Sequence, residues 1–265
     1  MPAVRDARPI LVALAAALLA VPGAPQSDAG AGPRSTEPPL GKAEMRRYSV
    51  EWRLIRAGSA TVKWDSYQAG QTPARQVQLR LESAGLVSRL YRVDDTYTAA
   101  MDEQFCVSNT MLVAHEGSKH REVKVTYNAT PGKATYLEHD TAKNIAIASQ
   151  EIDVPSCVHE VLGGLYKLRS MGLQPGQSAQ LPVSDGKKSA MVRIEAQESE
   201  KVTTPAGQFK ALRHEVFLFN NVIFRRQGRL FLWLTEDGER KLVQLRIRLS
   251  FPVGTITLQL EEEEA

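Results

Sequence analysis

The chain has 265 residues, 43% of them hydrophobic, with 33 Lys and Arg against 30 Asp and Glu and two Cys. This composition excludes a collagen-like, wholly disordered or disulfide-dense chain and is enough for one sizeable core. A formal charge of +3 is too small to argue for a nucleic-acid partner.

The N-terminus reads as an export signal. Arg5 and Arg8 give a basic start, Ile10 to Val21 is an unbroken apolar run, and Pro22-Gly23 breaks it. Ser27-Asp28-Ala29 offers a small-x-small cleavage site, with Val21-Pro22-Gly23 as its competitor. The apolar run would span about 18 Å as a helix, short of a hydrocarbon core of about 30 Å. Residues 1–29 are therefore assigned as a cleaved signal peptide. Residues 30–45, Pro- and Gly-rich, are expected to be a flexible leader. No later stretch is apolar enough to span a membrane.

From Arg46 onward the chain alternates with period two. Tyr48, Val50, Trp52 and Leu54 oppose Ser49, Glu51 and Arg53; Ala60, Val62 and Trp64 oppose Thr61, Lys63 and Asp65; Val77, Leu79 and Leu81 oppose Gln78, Arg80 and Glu82. Gly85 to Leu90 reads as a short turn of helix between strands. The alternation returns at Val123, Val125 and Tyr127, from Val243 to Phe251, and at Ile256, Leu258 and Leu260. Turn chemistry separates the runs at Thr130-Pro131-Gly132-Lys133, Asp185-Gly186, Pro205-Ala206-Gly207 and Glu236-Asp237-Gly238-Glu239. About ten to twelve antiparallel strands are expected over residues 46–260. One segment departs from the rhythm: Val158, Val161, Leu162, Leu165 and Leu168 fall at helical spacing, with Ser156 as the expected N-cap and Met171-Gly172 as the stop. Gly163-Gly164 weakens this helix, which implies that something approaches its backbone closely. Glu261 to Glu264 reads as part of a solvated acidic tail, 261–265.

Ten strands at about 4.8 Å spacing make a sheet about 48 Å wide, and one helix about 10 Å across covers a fifth of it. Alternation makes one face apolar, and bare apolar surfaces of that size are rare. The expected fold is mainly β: a single large curved antiparallel sheet, barrel or half-barrel like, with one main helix packed on the concave apolar face. Two halves split near the helix are the alternative.

Cys106 and Cys157, in an exported chain, point to a disulfide, with two buried free thiols as the other reading. The five histidines (His115, His120, His139, His159 and His214) lack zinc-ligand spacing, and on one continuous strand His115 and His120 would face opposite ways. His159 and Glu160 would lie in the helix's first turn. No nucleophile elbow, phosphate loop or dinucleotide fingerprint occurs, so no catalytic residue, metal or cofactor is assigned. Asp94, Asp95 and Asp102 are the carboxylates a hydrolase would use. Arg225, Arg226 and Arg229, with Arg240 and Lys241, form the densest basic cluster, a solvated edge or a contact for anionic headgroups. Tyr48, Trp52, Trp64, Leu79 and Leu81 belong to the apolar face and would line a cavity if one exists.

Several segments together are similar to an exported bacterial family, domain of unknown function 3108. They start at Tyr48 (YSVEWRLIRAGSATV), Gly85 (GLVSRLYRVDD), Cys157 (CVHEVLGGLYKLR), Leu173 (LQPGQ), Thr203 (TTPAGQFKAL) and Leu232 (LWLTEDGERKLV), in family order. Glu160 stands where the family pattern has Asp, and Gly163-Gly164 where it has a bulkier Ser/Ala pair, which leaves the role of that acid open. The resemblance implies an envelope-located, mostly β protein without assigned catalytic residues. A broader similarity to the curved-sheet lipoprotein carriers of the periplasm is fold-level analogy only.

These readings lead to an exported, periplasmic or secreted binding protein for a lipid or other amphipathic small molecule, acting without catalysis. A structural or assembly factor that binds an envelope protein is the second reading. A hydrolase of envelope glycans is the third.

Overall fold

The computed structural model describes residues 43–69 and 72–264. The expected signal peptide, 1–29, and almost all of the expected leader, 30–45, lie outside the described residues. Among the described residues no helix is long and apolar enough to cross a membrane.

Eight strands run in succession: β1 (Ala43–Trp52), β2 (Ile55–Ala69), β3 (Thr72–Ser83), then after the short helix α1 (Gly85–Leu90) β4 (Val93–Met101), β5 (Val107–Glu116), β6 (Lys119–Asn128), β7 (Lys133–Asp140) and β8 (Ile145–Asp153). The helix α2 (Val161–Met171) follows, and six more strands complete the chain: β9 (Ser178–Ser184), β10 (Ser189–Thr204), β11 (Gly207–Val216), β12 (Gly228–Thr235), β13 (Leu242–Leu249) and β14 (Thr255–Glu264). All belong to one 14-stranded sheet in the order β8-β7-β6-β5-β4-β3-β2-β1-β14-β13-β12-β11-β10-β9. Both runs are meanders, joined where the first and last strands pair, Tyr48 opposite Leu260 and Trp52 opposite Ile256. The sheet stays open, with β8 and β9 as its edges.

Fourteen strands exceed the ten to twelve expected; edge strand β8, with Ile145 and Ile147 about half exposed, is one that carries no one-sided apolar pattern. β14 runs on through Glu261, whose carboxylate faces Arg47 and Arg56, so backbone pairing with β1 draws the acidic run into the sheet. β1 likewise begins at Ala43, three residues ahead of the expected start.

α2 starts later than its apolar spacing predicts. Cys157 is tied to Cys106 with 4.9 Å between Cα atoms, and His159 is bridged to Val183. Val158 accepts from Val107 N at 2.9 Å and His159 N donates to Pro182 O at 2.9 Å. The segment holding Ser156 is thus committed to extended pairing, and Glu160 becomes the N-cap instead. Gly172, in the left-handed region at φ 61°, ends the helix as its sequence indicates.

Three buried clusters fill the molecule. The largest joins β1, Ala60 of β2, Leu81 of β3 and β9 through β14 with Leu168 of α2. A second lies on β5, β6 and β7 with Val154 and Val158. The third places Trp64, Val77, Ala99, Met101 and Phe105 around Tyr166 of α2. Tyr166 stacks on Trp64 at 3.9 Å between ring centroids, a contact worth about 1 kcal/mol beyond area burial. Of the double glycine, Gly163 has the close neighbours its sequence implies, since a Cβ there would lie 3.0 Å from Glu160 Oε1 and 3.3 Å from Met101 Sδ, while at Gly164 a Cβ would meet only ordinary contacts at 3.9 Å.

Candidate functional site

Residues paired across antiparallel strands share a face, and so do residues two apart on one strand. On the face that carries α2 this gives three parallel rows across β2 to β5. The first, Ala60, Leu81, Asp95 and Ala114, is buried, and so is the third, Trp64, Val77, Ala99 and Thr110. The row between them, Val62, Leu79, Tyr97 and Leu112, is only half-buried. The middle row is less covered than both its neighbours, although its side chains also pack against the three buried clusters; we call this strip over the four side chains the trough.

Ionisable groups border this trough. Continuing the outer rows onto β6 and β7 brings in Arg121, Val125 and Tyr136. Arg121 donates to Glu116 Oε2 at 2.9 Å and to Glu138 Oε1 at 3.0 Å. Tyr136 OH and Lys187 Nζ hold the other oxygen of Glu138, at 2.8 and 3.2 Å. Burial opposes the charge on Glu138, but Tyr136, Lys187 and Arg121 together hold its carboxyl below the ordinary range. Glu116 goes the other way: burial outweighs Arg121 and raises it. Asp95 is pushed up to about 6 by burial and then by the charge of Glu116, against a hydrogen bond from His115 N. Glu116 Oε1 and Arg121 Nε are buried without a hydrogen-bond partner in the protein, a cost of about 1–3 kcal/mol each unless another molecule meets them.

Glu160 borders the trough from the helix side. Its carboxylate accepts from Leu162 N at 2.7 Å and from Gly163 N, and Tyr97 OH donates to it at 3.1 Å. Burial raises it to about 7, against those three donors. At the far end of α2, Arg169 and Tyr166 reach Glu44 of β1, at 2.6 and 3.1 Å.

Of the residues singled out in the sequence, Tyr48, Trp64 and Leu81 are buried in packed clusters while Trp52 and Leu79 are half-buried. Cys106 and Cys157 are joined as a disulfide. Asp94 and Asp95 face opposite sides of β4, and Asp102 lies about 25 Å further along at the strand rise. Asp102 Oδ1 is occupied in a turn, accepting from Gln104 N at 2.9 Å and Cys106 N at 2.8 Å. The three carboxylates do not share a site. Arg229 is engaged by both oxygens of Glu215, at 2.7 and 2.8 Å, and Arg240 donates to Arg169 O at 2.9 Å, leaving Arg225 exposed. His115 and His120 do not face apart. Gly117, at φ 59°, turns the chain between them, so they pair across the β5–β6 hairpin with rings 4.9 Å apart. No group of three or more potential metal ligands occurs among the described residues.

The opposite face carries two open hollows, ≈ 330 and ≈ 320 Å³, which share Gln78 and Arg80. Polar and charged residues line most of both, Thr61, Lys63 and Glu82 beside Met45 in one and Asp94, Thr96 and His115 beside Val113 in the other.

Residues 47–261 match the model of DUF3108, a family described as proteins of unknown function. The chain belongs to the DUF3108 family. No curated protein matches its sequence. Among solved structures, this DUF3108 chain is similar to the β-barrel-like DUF1849 protein of Brucella abortus, at TM-score 0.51 and 9% identity over 84% of this chain and 97% of the other. A candidate exported protein with a YmcC-like fold from Bacteroides fragilis aligns at TM-score 0.39 and 10% identity, covering 88% and 100%. A candidate lipoprotein from Parabacteroides distasonis aligns at TM-score 0.33 and 9% identity, covering 85% and 97%. The DUF1849 likeness supports a β-barrel-like fold and nothing finer.

Sequence reasoning found the apolar face but not its polar border. Arg121, Glu116 and Glu138 escape it because only the register sets them as diagonal neighbours on one face: Arg121 opposite Ala114, Glu116 opposite Lys119 and Glu138 opposite Val123. Glu160 escaped as a cap because Glu is not among the preferred N-cap residues.

Proposed function

We propose that this DUF3108 chain is an exported, non-catalytic binding protein of the cell envelope. Its single domain would follow a cleaved signal peptide. The sheet curves around α2, and an apolar or amphipathic ligand lies in the trough over Val62, Leu79, Tyr97 and Leu112, with Tyr48, Trp64 and Leu81 around it. The half-buried middle row carries this reading: apolar side chains flanked by buried rows remain reachable, and an acyl chain or flat apolar ring would cover them. The orphaned atoms of Glu116 and Arg121 supply polar contacts for a headgroup at the β5–β6 end.

Native mass spectrometry of the mature protein purified from its own envelope tests the proposal. The expected result is a co-purifying amphipathic molecule, lost in Leu79→Trp and Leu112→Trp variants that fill the trough while the fold persists. A wild-type protein that carries nothing, and that also fails to bind a fluorescent fatty-acid probe, would sink it.

A further inference from the structure

A second surface, at one end of the sheet, has the composition of a membrane contact. Three connections meet there: the β1–β2 turn (53–54), helix α1 with its flanks (84–92), and the β13–β14 turn (250–254). Arg53 N donates to Thr255 O at 3.0 Å, Arg53 Nε to Val253 O at 3.1 Å and Trp52 Nε1 to Val253 O at 2.7 Å, which locks the two turns together. Ala84 N donates to Ala57 O at 2.8 Å and ties the start of α1 to β2 beside them.

The side chains presented are large and apolar. Leu54 is 91% exposed, Phe251 90%, Leu90 76%, Leu86 61% and Ile55 52%. α1 has no buried residue at all. Single exposed leucines need no explanation, but five gathered on three abutting connections do. Backbone strain points the same way. Arg53 and Leu54 both hold positive φ, 50° and 69°, in the two central positions of a hairpin turn that ordinarily takes Asn-Gly. Leucine is costly in that conformation, and folding gains nothing from a side chain left in water.

The charges around these tips have one sign. Trp52–Arg56, Ala84–Arg92 and Ser250–Gly254 hold Arg53, Arg56, Arg89 and Arg92 and not one Asp or Glu. Arg56 reaches Glu261 at 2.7 Å, while exposed Arg89 and Arg92 make no ion pair among the described residues. Apolar tips above a collar of arginine, with Trp52 and Tyr91 at the boundary, match the layering of an anionic bilayer: hydrocarbon, aromatic interface, phosphate.

We infer that this end of the molecule docks on an anionic lipid bilayer, inserting Leu54, Phe251, Leu86 and Leu90 between headgroups while Arg89 and Arg92 contact phosphates. The surface is separate from the trough and stands whether or not the trough holds a ligand.

Co-flotation of the purified protein with vesicles provides the test, using phosphatidylglycerol mixed with phosphatidylcholine against phosphatidylcholine alone. Wild-type protein is expected to float with the anionic vesicles only. Binding should weaken as salt rises, and Trp52 fluorescence should be quenched by brominated acyl chains. Leu54→Ser/Phe251→Ser and Arg89→Glu/Arg92→Glu should each lower vesicle affinity at least tenfold with unchanged melting temperatures. The N-terminal segment is common to all these variants, so a difference between them belongs to the tips. Leu112→Trp, in the trough, should bind vesicles as wild type does. Equal flotation of wild type and tip variants would overturn the inference, as would no flotation, or a dimer in sedimentation that the tip substitutions dissolve.

Discussion

Arg169 sits where three distant segments meet. Its guanidinium, 3% exposed, lies 2.6 Å from Glu44 Oε1 on β1 and donates to Arg240 O at 3.0 Å and Glu239 O at 3.2 Å beyond β12. Burial works against the Glu44 carboxylate, yet Arg169 and Arg46 hold its pKa below the ordinary value. A buried pair contributes little net stability, but removing one partner leaves a charge uncompensated. Arg46, 2.7 Å from the same oxygen, keeps a partial hold on Glu44. Arg169→Met should therefore cost about 3 kcal/mol, the lower end for a broken buried pair, read as a shift of the urea midpoint at unchanged slope. Glu44→Gln added to Arg169→Met should recover part of that loss.

Among the elements, the β9–β10 hairpin is the latch that lets an open sheet keep both halves together. Its turn residue Gly186, at φ 83°, packs so closely that a Cβ would lie 2.6 Å from Val125 Cγ2 and 3.2 Å from Tyr136 Cδ2. Lys187 adds its ammonium to Glu138 and to the face of Tyr136, 4.3 Å from the ring centroid, and Gln150 Nε2 of β8 donates to Lys187 O at 3.3 Å. Gly186→Ala combines an unfavourable φ with an overpacked contact, so it should destabilise by about 2 kcal/mol. It should also raise hydrogen exchange in β6 to β8 more than in β12 to β14. The sequence marked Asp185-Gly186 as a turn but could not show what the turn touches, since its neighbours lie some fifty residues upstream. The same limit explains the site. Alternation at Val62, Leu79 and Leu81 exposes an apolar face because neighbouring residues write it. Which row of that face stays open depends on where α2 lies, and the start of α2 is set by the Cys157 disulfide and by Val158 and His159 pairing as extended chain. His115 and His120 show the opposite failure: a single turn at Gly117 reverses the face assigned by counting along one strand.

For the whole molecule, the two halves respond to acid in opposite directions. In the half that borders the trough, Asp95 titrates near 6 instead of 3.8 and Glu160 near 7 instead of 4.5, both through burial. A carboxyl raised by folding favours the folded state when protonated, so this stability is full below the unfolded values and is lost as pH rises through the folded ones. In the other half His214, on β11 among apolar neighbours, is driven by burial from 6.5 to about 4. Its contribution has the reverse sign: present above 6.5 and lost as pH falls towards 4. Each of the three is worth about 3 kcal/mol at its limit. Lowering pH from about 7 to about 5 should therefore stabilise the protein, first through Glu160 and then also through Asp95, with His214 offsetting part of the gain below 6.5. Below about pH 4.5 the carboxyls held low by ion pairs, among them Glu44, Glu138 and Glu215, protonate and stability falls. Melting temperature should rise gently as pH falls from about 7 to about 5. His214→Leu should steepen that rise, while Asp95→Asn should remove part of the decline between about 4 and 6. A wild-type curve that climbs steadily from pH 5 to 8 would mean that Asp95 and Glu160 are not held protonated by burial.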